Sequence, residues 1–214
     1  MTDFLWTRPD TTPVATLLLA HGSGAPMDSP FMEKFAKFAV QQEIAVVRFE
    51  FPYMADRRRT GKKRPPPRAD KLIDTYLGAI SEIAGEAQRP LLIGGKSLGG
   101  RVAAMAAGDP ALDAHVAGVV CLGYPFHPTA KPDDTRLEPL QALPLPCLIA
   151  QGERDPFGNR DEVAGYGLPD TIEVLVMEDG SHDLAPRGAS PATWDGNLKI
   201  AAEAVRRFAE RFAG

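Results

Sequence analysis

Three side chains, met in a fixed order along the chain, have the types and settings that chemistry needs. The first is a serine between glycines, Ser97 in Gly95-Lys96-Ser97-Leu98-Gly99. The second is an acid, Asp155 in "QGERDPFG", and the third a histidine, His182 in "DGSHDL". A hydroxyl is a weak nucleophile until a base takes its proton, and an imidazole base needs an acid to orient it and support its charge. Serine, acid and histidine in this order, each after a strand-like run, imply attack on a carbonyl carbon. Glu153, two residues before Asp155 and nearer the strand end, is the rival acid or else a brace for the loop. Asp183, beside the histidine, reads as a loop stabiliser.

The serine's setting carries its own signal. "LLIG" before it reads as a strand end and "GRVAAMAA" after it as a helix. A sharp strand-to-helix turn exposes the hydroxyl, and small residues two positions to either side keep side chains from colliding there. The turn also aims the Leu98 amide, near the helix N-terminus, at a developing negative charge. A second donor is expected in "LLLAHGSGAP", where the chain leaves an early strand: the Ser23 amide first, Gly24 next. His21 reads as a structural residue holding that loop. His127, in "GYPFHP", either contacts substrate, as Gly24 would, or packs its loop. His115 reads as a surface residue. "GKS" invites a phosphate-loop reading, but that pattern requires glycine where Pro90 stands. The scattered histidines and the lack of a C-x-x-C give no metal site, and no cofactor is implied.

These residues must be held by something. The runs "ATLLLAHG", "IAVVRFEF", "PLLIGGKS", "VAGVVCLGYP", "PCLIAQGE" and "IEVLVMEDG" are strand-length and nearly continuously apolar, as strands covered on both faces are. Between them lie helical patterns. One places Phe31, Phe35, Phe38 and Ala39 on a face. Another repeats Leu72, Tyr76, Ala79, Ile80 and Ile83. The last carries Leu198, Ala201, Val205, Phe208 and Phe212. Strands alternating with helices predict an α/β doubly wound sheet. Two segments break the pattern, the basic and Pro-rich "RRRTGKKRPPPRAD" and the Pro-punctuated "HPTAKPDDTRLEPLQALPLP". Both are expected as loops at the carboxyl edge of the sheet. Carboxylates such as Asp70 and Asp74 are candidates to neutralise the first; an anionic substrate steered toward Ser97 is the other explanation.

At 214 residues the chain fits one domain, residues 1–214. A net charge of -4 argues against a nucleic-acid partner, which would call for a basic surface. No apolar run reaches the roughly 20 residues of a membrane span, and the N-terminal segment lacks the basic start of a secretory signal, so a cytoplasmic protein is expected. Cys121 and Cys147 sit in apolar runs and read as buried, reduced thiols. Oligomeric state is not legible.

Together "AHGSG", "GGKSLGGR", "LGYPFHP", "QGERDPFG" and "DGSHDL" resemble the α/β-hydrolase superfamily, most closely a compact branch of dienelactone-hydrolase-like and testis-expressed-type hydrolase-like proteins. "FPYM" before a basic Pro-rich stretch is similar to that branch as well. The resemblance runs from about Leu17 to Phe212. It implies an α/β-hydrolase fold, which the short chain and its apolar runs reduce to a compact, mostly parallel sheet of about six or seven strands with no large cap domain. It further implies a serine hydrolase with Ser97, Asp155 and His182 as the triad, acting on a small-molecule ester or, next, a thioester or amide. Dienelactone hydrolases proper use a cysteine nucleophile, so their substrate does not carry over. The early strands of the full fold have little sequence to come from before Val14. The alternative is a non-catalytic binding module on the same scaffold.

Overall fold

The computed structural model describes residues 2–212. All six apolar runs form strands, and a shorter strand precedes them. In chain order these are β1 (Phe4–Thr7), β2 (Ala15–Ala20), β3 (Ile44–Phe49), β4 (Leu91–Lys96), β5 (Val116–Leu122), β6 (Cys147–Gly152) and β7 (Ile172–Met177). They make one sheet in the order β1-β3-β2-β4-β5-β6-β7. Neighbours from β3 to β7 are parallel; β1 lies antiparallel to β3, pairing Phe4 with Phe49. The fold is the expected α/β-hydrolase architecture. The structure corrects one detail, since residues before Val14 do supply a strand, an edge one.

Every residue of β2, β3, β4 and β6 is buried, because helices cover both faces. Alternation along each strand divides the side chains between two cores. Leu18, Val47, Phe49 and Ile93 face α3 (Ile73–Ile83) and α4 (Leu98–Ala107). Leu17, Leu19, Val46 and Leu92 face α1 (Pro30–Gln41) and α7 (Trp194–Glu210). The predicted stripes are the buried faces: Phe31, Phe35 and Phe38 on α1, Tyr76, Ala79, Ile80 and Ile83 on α3, and Leu198, Ala201, Val205 and Phe208 on α7. Each large side chain so buried stabilises the fold by about 1.5–3 kcal/mol relative to exposure. A 3-10 turn, Ala69–Leu72, leads into α3. No insertion large enough to form a cap interrupts the described strands.

The basic run is only partly a loop. Residues 57–60 are the last turn of α2 (Pro52–Thr60), which Pro52 starts and Gly61, left-handed at φ 70°, ends. Three of its seven charges are met on the spot. Arg58 makes a bidentate pair with Asp28 and a second with Glu50, Arg59 pairs with Asp56, and Arg68 with Asp70. Asp74, expected to share in this, makes no such pair among the described residues. The second irregular segment contains a short helix, α5 (Glu138–Gln141), and α6 (Arg160–Ala164) follows β6.

Candidate active site

Ser97 stands at the end of β4, where the backbone turns into α4. Its φ of 52° and ψ of -113° form a left-handed conformation that side chains rarely adopt. The turn persists because its neighbours fix it: Ser97 N–H donates to Leu122 O at 3.0 Å. The flanking glycines are a matter of space. A Cβ on Gly95 would lie 2.3 Å from the Gly99 carbonyl carbon, and one on Gly99 2.5 Å from Ala20 O. α4 therefore starts in backbone contact with β2 and β4, which a side chain at either position would break.

His182 reaches Ser97 from the loop after β7, and Asp155 reaches His182 from the turn after β6. The His182 Nε2 to Ser97 Oγ distance is 2.9 Å, and His182 Nδ1 to Asp155 Oδ2 is 2.8 Å. A carboxylate only accepts, so Nδ1 carries the proton and Nε2 is free to accept from the serine hydroxyl. Asp155 is fully buried, with Gln151 Nε2 donating to Oδ2 at 3.0 Å and Phe157 N–H to Oδ1 at 2.8 Å. The Phe157 ring lies 4.4 Å from the imidazole, centre to centre. Glu153, the rival acid, points elsewhere: it accepts from Asp179 N–H and from the Arg160 guanidinium, both at 2.8 Å. It braces the loop that carries His182. Asp179 also anchors that loop through Arg154 and Arg187, and the Arg187 contacts pull its carboxyl down to about 2.

The two expected amides lie at the same edge. Leu98 N–H opens α4 and donates to no group among the described residues, nor does Ser23 N–H. The Ser23 loop is pinned from behind. His21 Nδ1 lies 2.6 Å from Gly22 O, Tyr53 O–H donates to Ser23 O at 3.2 Å, and Arg57 donates to Gly24 O at 2.8 Å. A trans peptide points its N–H opposite to its C=O. Carbonyls held on the α2 side thus turn the Ser23 and Gly24 amides the other way, and both residues line the cleft. His21 is the structural residue expected, its Nε2 accepting from Phe51 N–H at 3.1 Å. Burial pushes its pKa below the usual 6.5.

His127 does not line the cleft. It is buried with Nδ1 3.1 Å from Pro128 O, its N–H donates to Phe157 O, and Nε2 faces Glu162 at 3.5 Å. Of its two expected roles, these contacts are those of the packing one. His115 is an exposed partner of Asp113. Cys121 and Cys147 are free and buried. Among the described residues no group of three His, Cys, Asp or Glu side chains is placed to hold a metal, and no helix is long and apolar enough to cross a membrane.

The cleft over Ser97 has a volume of about 390 Å³. Sequence reasoning missed its walls. Phe31 and Met32 from α1 and Trp194 from α7 form an apolar side, while Lys96 and Asp183 form a charged one. The lysine's signal was its position, next to the serine at the end of a strand whose residues are all buried.

Residues 13–210 match the family described as an alpha/beta hydrolase domain. Solved structures with a similar fold include an alpha-beta serine hydrolase homologue from Coxiella burnetii, with TM-score 0.71 and 19% identity over 97% of this chain and 91% of that one. Dienelactone hydrolase from Anabaena variabilis gives 0.71 and 22%, over 99% and 92%. The esterase domain of a Rhodothermus marinus protein gives 0.68 and 17%, over 100% of both.

Proposed function

The chain belongs to the alpha/beta hydrolase family, and from that premise we propose that it is a serine hydrolase of carboxylic esters, with thioesters the next candidates. The observation that carries this reading is the continuous contact from Ser97 Oγ through His182 to Asp155, at 2.9 and 2.8 Å. In the proposed reaction Ser97 Oγ attacks the ester carbonyl carbon as His182 Nε2 takes its proton. Asp155 supports the imidazolium. The amides of Leu98 and Ser23 receive the oxyanion. Collapse of the tetrahedral intermediate expels the alcohol, which takes the proton from His182. Water, deprotonated by the same imidazole, then attacks the acyl-enzyme. A second collapse releases the acid and returns the proton to Ser97. An esterase and a dienelactone hydrolase among the structural relatives favour a carboxylic ester, and two unpaired thiols suit the reducing cytoplasm.

A fluorophosphonate probe tests the reading. Labelling that disappears in Ser97→Ala, together with turnover of 4-nitrophenyl esters, is the expected result. Absence of both would leave a hydrolase scaffold used only for binding.

A further inference from the structure

Lys96 occupies an unusual place. Its side chain is only 7% exposed, yet it lines the cleft immediately beside the nucleophile. Among the described residues its one anionic neighbour within ion-pair distance is Asp183 Oδ1, at a long 3.3 Å, and that carboxylate is 64% exposed. The ammonium also lies 5.3 Å from the centre of the Phe31 ring. An ammonium has three protons to place, and a desolvated one is costly unless they are met. Burial lowers the Lys96 pKa, against the opposing charges of Asp183 and Asp155. Asp155 is not available as a partner, since Gln151, Phe157 and His182 occupy its oxygens. The cleft thus holds a cation with unused donors, shielded from bulk water and guarded by a carboxylate that is itself well solvated.

We propose that the cleft selects esters bearing a carboxylate, and that this carboxylate replaces Asp183 as the partner of the Lys96 ammonium. The proposal rests on Ser97 being the nucleophile and deepens that reading by naming the substrate class. Displacing Asp183 is inexpensive because its freed carboxylate faces solvent. The anion gains a charge-assisted contact in a place where water screens little. Phe31, Met32 and Trp194 then face the hydrocarbon part of the substrate.

Matched substrates test this. The mono-4-nitrophenyl ester of adipic acid is set against 4-nitrophenyl hexanoate, and 4-(butanoyloxy)benzoate against its methyl ester. The first pair puts the charge on the acyl side and the second on the leaving group. The readout is the kcat/KM ratio of charged to neutral ester. The wild type is expected to favour the charged member of at least one pair by about tenfold, the scale of one hydrogen bond to a charged group. Lys96→Met should collapse that ratio, whatever it does to the neutral rate, while Lys96→Arg should retain much of it. Asp183→Asn, which removes the competitor, should raise it, and this variant keeps the test intact if Lys96→Met does not fold. Neutral esters turned over at equal or higher efficiency in both pairs would overturn the proposal and leave the serine hydrolase standing. An unchanged ratio in Lys96→Met would do the same, reducing Lys96 to a tether for Asp183. No turnover of any ester, with no labelling of Ser97, would remove the reading beneath it as well.

Discussion

A neutral imidazole enclosed by the fold makes stability depend on pH. His21 is fully buried between Gly22 O and Phe51 N–H, and burial lowers its pKa from 6.5. The unfolded chain binds a proton below that value while the folded one resists, so stability is complete above pH 6.5 and falls beneath it. The loss reaches at most about 1.4 kcal/mol per pH unit for this one group. Urea midpoints measured from pH 7 to pH 5 should show the decline. His21→Gln should be less stable overall but lose that part of the slope. At the reaction centre, Ser97→Ala or His182→Ala is expected to lower kcat by roughly 10⁴-fold without unfolding the chain, as members of a catalytic unit do. Asp155→Asn should approach that loss. Glu153→Gln should instead lower the melting temperature with little effect on rate, because its bonds go to Asp179 and Arg160. Equal rate losses from the two acids would contradict the assignment. Ser97, Asp155 and His182 were legible because each follows a strand run in a telling order. Which of the two acids meets the His182 ring is set by the turn in which Asp155 N–H bonds to Gly152 O, a geometry that two neighbouring acids do not announce.

Elements dictate how closely the site can be built. α4 meets β2 and β4 with no room for a methyl group at Gly95 or Gly99. Gly95→Ala is expected to cost about 3 kcal/mol or more, since backbone rather than flexible side chain stands in the way. Circular dichroism and a denaturant titration would register it; a near-neutral change would mean that α4 can slide. Arg58 shows how a charge run misleads. Read as sequence, it belongs to a solvated loop, yet in α2 it pairs with Glu50, whose side chain is only 5% exposed. Arg58→Ala leaves that carboxylate without its cation and should destabilise the fold by about 2 kcal/mol. The six long strands were legible because burial on both faces leaves a nearly unbroken apolar run. β1 was not, because four half-buried residues at a sheet edge carry too little periodicity. The cleft walls were hidden for another reason. Phe31 and Trp194 are far apart in sequence and meet only through the packing of α1 on α7.

The whole molecule is acidic, at -4, yet concentrates basic groups on one segment. With Arg58, Arg59 and Arg68 engaged, Lys62, Lys63 and Arg64 make no ion pair among the described residues and are exposed. They are the groups able to draw in an anion from a distance. Exposed charges are screened beyond about 10 Å at 0.1 M salt, whereas a buried one such as Lys96 is screened far less. If steering operates, kcat/KM for charged esters falls with added salt toward a plateau that keeps the Lys96 preference, and neutral esters respond little. Lys62→Glu with Lys63→Glu should mimic the salt. Equal salt dependence for both ester classes would leave the segment as a solvated surface.

The backbone at Ser97 has a corollary for stability. Its φ and ψ are those that glycine prefers at the first central position of a type II′ turn, so the fold would be more comfortable with no side chain there. Ser97→Gly and Ser97→Ala should both be inactive, but the glycine variant should be the more stable, by about 1 kcal/mol. Losing the Ser97 hydroxyl to glycine would therefore be downhill in stability. A serine in a glycine's conformation is held there at a standing cost to the fold.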